Sequence, residues 1–402
     1  MDKINIKNVF KEYLNVIDEK ILLKMANYLE LDKYVKKLDT NVFTKLFIYA
    51  ELMEIPSLTE ISLHLNHQPL LQNELGLKSI STSQLSRKLR DIPPTIFDAL
   101  LRHLIQKIRQ TYGYQKGNKM LEKLYIIDSS TITLGLSQHP WAPKNRFTGG
   151  VKMHTRVVYE NDVTYPDRLI VTAARPADRT QLDSLIVNEA GALHVFDRGY
   201  YDFKKFEQLM EQDIRFVTRI KENAIVHVVE EIPVEANSMI QREAIVYLGK
   251  MQYPLRLIQV VDTAGTPIEI VMNDANISAE EISEIYRNRW KIELFFKWMK
   301  QHTVLKNSFG TSYNAVHNQI YIAMISFCLT LLIKHKTQYQ GTLLQIKRLL
   351  SHYCFVDIQN FLTVLAARPK RRSKGRKRTN HEQIFKEIEI YFALLNTRTQ
   401  LL

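Results

Sequence analysis

The sequence predicts an α/β protein in which helices and strands are segregated along the chain. Apolar residues recur at three- and four-residue spacing within residues 1–112, as in amphipathic helices. From residue 124 onward, β-branched and apolar runs alternate with helical segments. The 45% hydrophobic and 24% charged content is ordinary for a globular chain, and 402 residues are enough for two or three domains.

The net charge predicts a polyanionic partner, and the pattern of apolar residues predicts a protein of the cytoplasm. The net charge of +13 favours a polyanion, nucleic acid before a membrane surface. The first 14 residues lack the apolar stretch of a signal peptide, and the longest apolar run, residues 320–333, is short for a membrane span. We therefore expect a buried helix there and no membrane association. The two cysteines, Cys328 and Cys354, fit a reducing compartment and exclude a cysteine-based zinc finger.

Residues 57–91 have the pattern of a helix-turn-helix, with a turn near Gly76. The second helix carries Arg87, Lys88 and Arg90 on its polar side, which are side chains suited to phosphates and base edges. A solvated helix in an all-α domain explains this pattern equally well.

The middle of the chain predicts a sheet with a defined order of elements. Three strands come first, followed by helix, strand, helix and strand: Leu124–Leu134, 151–160, 168–174, 178–187, 193–200, 202–212 and 215–220. The order β-β-β-α-β-α-β is that of the ribonuclease H-like fold, in which the ends of the first and fourth strands lie side by side. Asp128 and Asp197 would then meet. Residues 221–266 alternate as a β-rich insertion that follows the fifth strand.

Asp128 interrupts an otherwise apolar strand, LYIIDSSTITL. A carboxylate inside a buried strand is costly unless a cation or hydrogen bonds satisfy it. It is either a strand-end aspartate bonded to the amides of Ser129 or Ser130, or a metal ligand.

One predicted helix, residues 278–302, carries Tyr286, Arg289, Glu293 and Lys300 on a single face. A serine followed three residues later by a glutamate makes a capping box at its start. The helix could simply be a surface helix with an ion pair between Arg289 and Glu293.

The spacing of these four residues resembles the signature around the catalytic glutamate of bacterial DDE insertion-sequence transposases, the group that moves by cut-and-paste. Three further segments resemble blocks of the same group: IDSSTI around Asp128, DRGY from Asp197, and FGTSYNAVHNQIYIAMI at residues 309–325. Four motifs in the expected order make the resemblance specific, although each of them alone is weak.

The resemblance implies that Asp128, Asp197 and Glu293 are catalytic and ligate metal. We expect two Mg²⁺ ions, with Mn²⁺ able to substitute, because hard oxygen ligands hold the metal pair that activates the nucleophile and stabilises the leaving oxygen in phosphodiester transfer. DNA contacts near the cut are implied for Tyr286, Arg289 and Lys300. We expect the same role for Arg198 and Lys297.

Five regions are predicted in this reading. They are a helical DNA-binding domain (1–112), the first part of a ribonuclease H-like core (121–220), the insertion (221–266), the second part of the core with the glutamate helix (267–340), and a helical C-terminal region (341–402). The last contains a basic run, residues 368–378, suited to phosphate contacts. Relatives that open a DNA hairpin can hold a flipped base with a tryptophan of the insertion. This insertion has none, and Tyr247 or Tyr253 could stack instead.

The predicted function is cleavage at the terminal inverted repeats of an insertion sequence and joining of the ends to double-stranded target DNA. The partners expected are that DNA and a second copy of the chain, in the bacterial cytoplasm at the nucleoid. Two alternatives remain open: an Mg²⁺-dependent DNA nuclease on the same fold, and a catalytically inactive DNA-binding regulator.

Overall fold

A computed structural model describes five stretches of the chain, residues 7–112, 123–160, 163–235, 238–261 and 265–367. The predicted basic run at 368–378 lies outside them. Met1–Leu362 forms one compact unit. Of the second unit, Thr363–Leu402, the described residues are the end of one helix.

Helices make up the first part of the chain, as predicted, and no strand occurs within residues 7–112. They are α1 (Val9–Leu14), α2 (Glu19–Tyr28), α3 (Thr40–Leu52), α4 (Leu58–His67), α5 (Pro69–Leu75), α6 (Thr82–Asp91) and α7 (Thr95–Tyr112). The predicted turn at Gly76 is present, with a left-handed φ of 63° at which glycine is favoured. The short helix α5 separates the two helices of the predicted helix-turn-helix.

A single sheet of nine strands follows. The strands are β1 (Leu124–Leu134), β2 (Gly149–Glu160), β3 (Val163–Ala173), β4 (Leu193–Phe196), β5 (Arg215–Arg219), β6 (Val226–Ile232), β7 (Ile240–Leu248), β8 (Leu255–Val261) and β9 (Pro267–Met272). Their order is β3-β2-β1-β4-β5-β9-β8-β7-β6. The fold class is thus mixed α/β with one large sheet.

The register of the sheet decides which side chains meet at the strand ends. β1 pairs with β2 antiparallel and with β4 parallel, and β4 pairs with β5 parallel. The first four residues of β1 are fully buried, as a strand covered on both faces requires. The last pair between β1 and β4 is Ile127 with Phe196, so both strands end their pairing one residue before an aspartate.

The strands of the predicted insertion extend the same sheet. β6, β7 and β8 form an antiparallel meander, and β8 joins β9, which pairs antiparallel with β5. This region is therefore continuous with the strands that carry the aspartates.

The remaining helices are α8 (Leu182–Leu185), α9 (Phe203–Glu211), α10 (Ala279–Arg287), α11 (Trp290–His302), α12 (Tyr313–Lys336), α13 (Leu343–His352) and α14 (Ile358–Ala366). Helix α12 is buried from Ala315 to Ile333. In the described part of the chain it is the one helix long and apolar enough to cross a membrane, but its apolar stretch lies entirely inside the protein. The prediction of a buried helix is confirmed.

Two predicted helices differ from those observed. The helix predicted at residues 178–187 is a 3₁₀ turn, Asp178–Gln181, followed by the single turn α8. The prediction of one uninterrupted helix over residues 278–302 is wrong, because α10 ends at Arg287 and α11 begins at Trp290. Between them the amide of Arg289 bonds the carbonyl of Tyr286, and the Asn288 side chain bonds the carbonyl of Glu284. Asparagine competes for backbone carbonyls in this way, which favours helix ends.

Candidate active site

Asp128 and Asp197 lie next to each other where the pairing of two adjacent parallel strands stops. Each follows directly on the last residue pair between β1 and β4, Ile127 with Phe196. Asp197 follows the end of β4, whereas Asp128 lies within β1, which stays paired with β2 as far as Leu134. Asp197 then starts a 3₁₀ turn in which its carboxylate accepts a hydrogen bond from the amide of Gly199 at 2.8 Å. A Cβ on Gly199 would lie 2.9 Å from that carboxylate oxygen. A larger residue at this position would push the carboxylate of Asp197 out of its present place, so Gly199 suits the observed orientation of Asp197.

The carboxyl group of Asp128 lies in surroundings that disfavour its negative charge. Burial and the neighbouring charge of Asp197 raise its pKa to about 7, and Glu293 adds to the increase. The amide of Ser129, which donates at 2.7 Å, and Arg289 partly offset the rise. Asp128 therefore lies within electrostatic reach of both other acids, as expected of a group that shares a cation with them.

Glu293 reaches this place from α11, with Arg289 between it and Asp128. One guanidinium nitrogen of Arg289 donates to Glu293 Oε1 at 2.6 Å, and the other lies 3.8 Å from Asp128 Oδ2. The guanidinium carbon lies 5.8 Å from the centre of the Tyr286 ring. The ion pair expected for a plain surface helix is present, but it also contacts a strand-borne carboxylate.

A cleft of about 480 Å³ opens beside these carboxylates and is lined by Asp128 and Glu293 together with three lysines, Lys297, Lys300 and Lys306. Burial lowers the pKa of Lys300, while Lys297 and Lys306 are exposed. Lys306 was not predicted from the sequence. It ends a 3₁₀ turn, Val304–Lys306, and only the packing of that turn beside α11 brings it to the cleft.

A fourth acid, Asp178, also lies beside the strand ends and was not predicted. Its Oδ1 accepts hydrogen bonds from Ser129 Oγ at 2.8 Å and from Lys152 Nζ at 2.9 Å. Lys152 and Asp178 therefore form an ion pair close to Asp128, because Asp178 is hydrogen-bonded to Ser129, the residue that follows Asp128. No local pattern in the sequence distinguishes Asp178 from the many acids at helix starts.

Arg198 projects from the turn that follows Asp197 and is half exposed. Its guanidinium bonds Glu222 at 3.0 Å, in a pair whose side chains are 50% and 82% exposed. Exposed pairs of this kind contribute little energy, so Arg198 can exchange this partner for a phosphate.

The three basic residues predicted on the second helix of the helix-turn-helix have different surroundings. Arg87 is exposed, and Arg90 pairs with the adjacent Asp91 at 3.0 Å. Lys88 is 11% exposed and bonds Asp32 at 2.7 Å and the carbonyl of Leu31 at 3.2 Å. Its ammonium group is thus engaged within the protein.

The donor set of the site suits a divalent cation in kind. Carboxylate oxygens are the ligands that hard cations prefer, and Asp128 and Asp197 lie side by side where the pairing of β1 with β4 stops. In the described residues, however, no three His, Cys, Asp or Glu side chains converge closely enough to hold a metal. The guanidinium of Arg289 lies between Asp128 and Glu293 and supplies the positive charge there.

Comparisons with known proteins agree with this geometry. The family described as "Transposase DDE domain" matches residues 119–329, just over half of the chain, and a "Domain of unknown function (DUF4372)" matches residues 6–78. The chain is 31% identical over 272 residues to "Probable transposase for insertion sequence element IS5377" of Geobacillus stearothermophilus, covering 66% of this chain and 70% of that protein. It is 33% identical over 251 residues to the protein y4zB of Sinorhizobium fredii, named as a transposase, covering 58% of this chain and 68% of that protein.

Among solved structures, the piggyBac transposase synaptic complex with hairpin DNA matches with a TM-score of 0.46 and 12% identity, over 93% of this chain and 86% of that chain. A likeness of this size carries no conclusion about the fold. The family match and the two relatives identify the family of this chain. Transposases with this domain generally use divalent metal ions, in agreement with the oxygen ligands at the strand ends. The chain belongs to the DDE transposases and is an insertion-sequence transposase that acts on DNA.

Proposed function

We propose that this transposase cuts at the terminal inverted repeats of its own insertion sequence and joins the ends to target DNA, by the cut-and-paste route of the group with the Tyr-Arg-Glu-Lys signature. One observation carries the proposal: Asp128 and Asp197 each follow the last residue pair between two adjacent parallel strands, and Glu293 lines the same cleft as Asp128. The order β3-β2-β1-β4-β5 supports a ribonuclease H-like core. The helices within residues 7–112 support a separate DNA-binding region.

The three carboxylates are Asp128, Asp197 and Glu293. When bound, two Mg²⁺ ions, or Mn²⁺ in their place, would activate the attacking water or 3′ hydroxyl and stabilise the leaving oxygen. Asp128 has the other two acids as electrostatic neighbours and is the residue suited to contact both ions. The hydrogen bonds from Ser129 and Gly199 orient the carboxylates of Asp128 and Asp197 before any substrate arrives.

The basic side chains of the cleft would position the scissile strand. Lys297, Lys300 and Lys306 line it beside Asp128 and Glu293, so a phosphodiester there would have cations on one side and carboxylates on the other. By resemblance, Tyr286 and Arg289 hold DNA near the cut. Arg289 would then exchange one anionic partner, Glu293, for a phosphate.

Some finer steps rest on the resemblance alone. A hairpin intermediate would need an aromatic side chain to hold a flipped base, and Tyr253 of the insertion is 39% exposed whereas Tyr247 is half-buried. Two ends must be joined in one reaction, which favours a homodimer at the bacterial nucleoid.

The test is a cleavage assay with a labelled transposon-end duplex and Mg²⁺, in which wild type is compared with Asp197→Ala on a denaturing gel. We expect nicked and hairpin products from wild type only. Removing a carboxylate that binds the metal should lower the cleavage rate by about 10³-fold while DNA binding is retained.

The outcomes separate the three candidate functions. Products that include joined target DNA support the transposase. Nicks that never lead to joining would indicate a nuclease, and tight binding without any metal-dependent product would indicate a regulator.

A further inference from the structure

A second basic site lies far along the chain from the carboxylates, and one of its two walls belongs to the segment matched by the domain of unknown function. It is a groove of about 550 Å³ between the loop of residues 31–38, which connects α2 to α3, and helix α6. Lys36 and Lys37 line it from the loop, and Arg87 and Lys88 line it from the helix. We call it the N-terminal groove.

The groove is held in shape by a largely buried ion pair. Lys88 Nζ bonds Asp32 Oδ1 at 2.7 Å, and their side chains are 11% and 19% exposed. Asp32 also accepts hydrogen bonds from the amide and hydroxyl of Thr40 at 2.9 Å. The pair therefore ties the loop to α6 and to the start of α3. Lys88 acts as a support for the groove, which accounts for its lack of a free ammonium group.

The other three cations of the groove have no such partner. Lys36, Lys37 and Arg87 are exposed, and within the described stretches no acidic group lies within ion-pair distance of any of them. Asp91, the acid on the rim, is already paired with Arg90. Like charges around one groove repel one another, and a polyanion that enters the groove offsets this repulsion.

We propose that the N-terminal groove binds the phosphodiester backbone of duplex DNA through Lys36, Lys37 and Arg87. Lysine and arginine side chains on a loop and a helix are the usual phosphate contacts, and they carry no sequence information themselves. The proposal rests on DNA being the substrate and assigns a binding role to part of the segment matched by the domain of unknown function.

The loop offers a matched control for the experiment. Lys33 is a lysine of the same loop, half exposed, but it is paired with Glu30 at 3.0 Å. The full-length chain is prepared as wild type, as the double variant Lys36→Gln with Lys37→Gln, and as Lys33→Gln. Affinity is measured from 50 to 200 mM NaCl on a transposon-end duplex and on a scrambled duplex of equal length.

We expect the double variant to reduce the slope of log affinity against log salt by about 2 and to weaken binding about 10-fold on both duplexes. Lys33→Gln should leave the slope unchanged and the affinity within about 2-fold. Arg87→Gln, a variant on the other wall, should lower the slope by about 1.

Two results would overturn the proposal. One is a double variant that behaves like Lys33→Gln, and the other is a loss confined to the transposon-end duplex, which would mean base reading. Metal-dependent cleavage by wild type is scored separately. If wild type cuts transposon ends but the double variant binds DNA with an unchanged salt dependence, this inference alone is refuted. If the double variant shows the expected decrease in slope but wild type never cuts, only the cut-and-paste reaction is refuted.

Discussion

Two carboxyl groups in different regions of the molecule, one buried and one largely buried, both have a raised pKa, yet only one lies where DNA chemistry is supported. Asp128 lies in β1 just after its pairing with β4 stops, and Glu51 lies in α3, where it is 2% exposed. Burial raises the pKa of Asp128 to about 7 and that of Glu51 to about 8. A raised pKa is therefore not sufficient to identify the active site, although perturbed groups are common in active sites.

The neighbours of the two groups explain the difference. Around Asp128 stand two further acids and a cleft lined by lysines. Glu51 faces the interior, where its Oε2 accepts a hydrogen bond from the amide of Val304 at 3.3 Å, and this bond and Lys347 both act to lower its pKa. Its other oxygen has no hydrogen-bond partner among the described residues. Glu54 also raises the pKa of Glu51, so a neighbouring acid alone does not identify an active site. The difference is that Asp128 lines an open cleft, whereas Glu51 is enclosed.

The largest expected effect is on catalysis. Asp128→Asn keeps the volume of the side chain but removes the negative charge that a metal needs, so metal-dependent nicking of an end duplex should fall by about 10³-fold or more. Glu51→Gln is the matched change in the helical region and should leave the nicking rate within about 2-fold. Initial rates on the same labelled duplex measure both. Near-normal nicking by Asp128→Asn would break the comparison.

The second expected effect is on stability, and here Glu51 rather than Asp128 is the group whose substitution should matter. Because the pKa of Glu51 is about 8 in the folded chain and 4.5 ordinarily, the native state keeps a proton that the unfolded chain releases between these values. The free energy of unfolding should therefore fall as the pH rises from about 4.5 to about 8, by at most about 4 kcal/mol from this group. Glu51→Gln stays neutral and should remove that decrease.

Urea unfolding of wild type and Glu51→Gln at pH 5 and pH 8 checks this. The variant should gain stability relative to wild type at pH 8 and much less at pH 5. An equal difference between the two proteins at both pH values would mean that Glu51 does not titrate in this range.

The aspartate pair could be predicted from the sequence because the order of strands and helices along the chain indicates a fold in which the first and fourth strands are neighbours. β1 was predicted with the bounds observed, and the first and fourth strands pair as expected, so Asp128 and Asp197 meet. The face of Glu293 followed from helical spacing, even though the helix is broken at Asn288 and Arg289. The helical spacing still predicts the face of Glu293 because only two residues separate α10 from α11.

The supporting residues could not be predicted, because packing between distant segments brings them in. Asp178 reaches Ser129 across 49 positions in the chain, and Lys88 reaches Asp32 across 56. From the sequence, Lys88 looks like Arg87 and Arg90, a basic residue on the polar face of a helix. Only the partner, Asp32, distinguishes a structural lysine from one that is available to DNA.

The smallest expected effect concerns the cation of the cleft. Arg289 lies 3.8 Å from Asp128 and bonds Glu293, so in DNA-free protein its guanidinium competes with any divalent ion for the same carboxylates. Arg289→Gln should therefore tighten Mn²⁺ binding about 5-fold, which corresponds to about 1 kcal/mol for a partly buried pair. The rise in melting temperature on titration with Mn²⁺, without DNA, measures this. Asp197→Ala is the control and should weaken the same response. If Arg289→Gln weakens it too, the guanidinium orients the carboxylates for the metal, and the acids around Asp128 depend on a fixed internal cation much as Lys88 and Asp32 depend on each other.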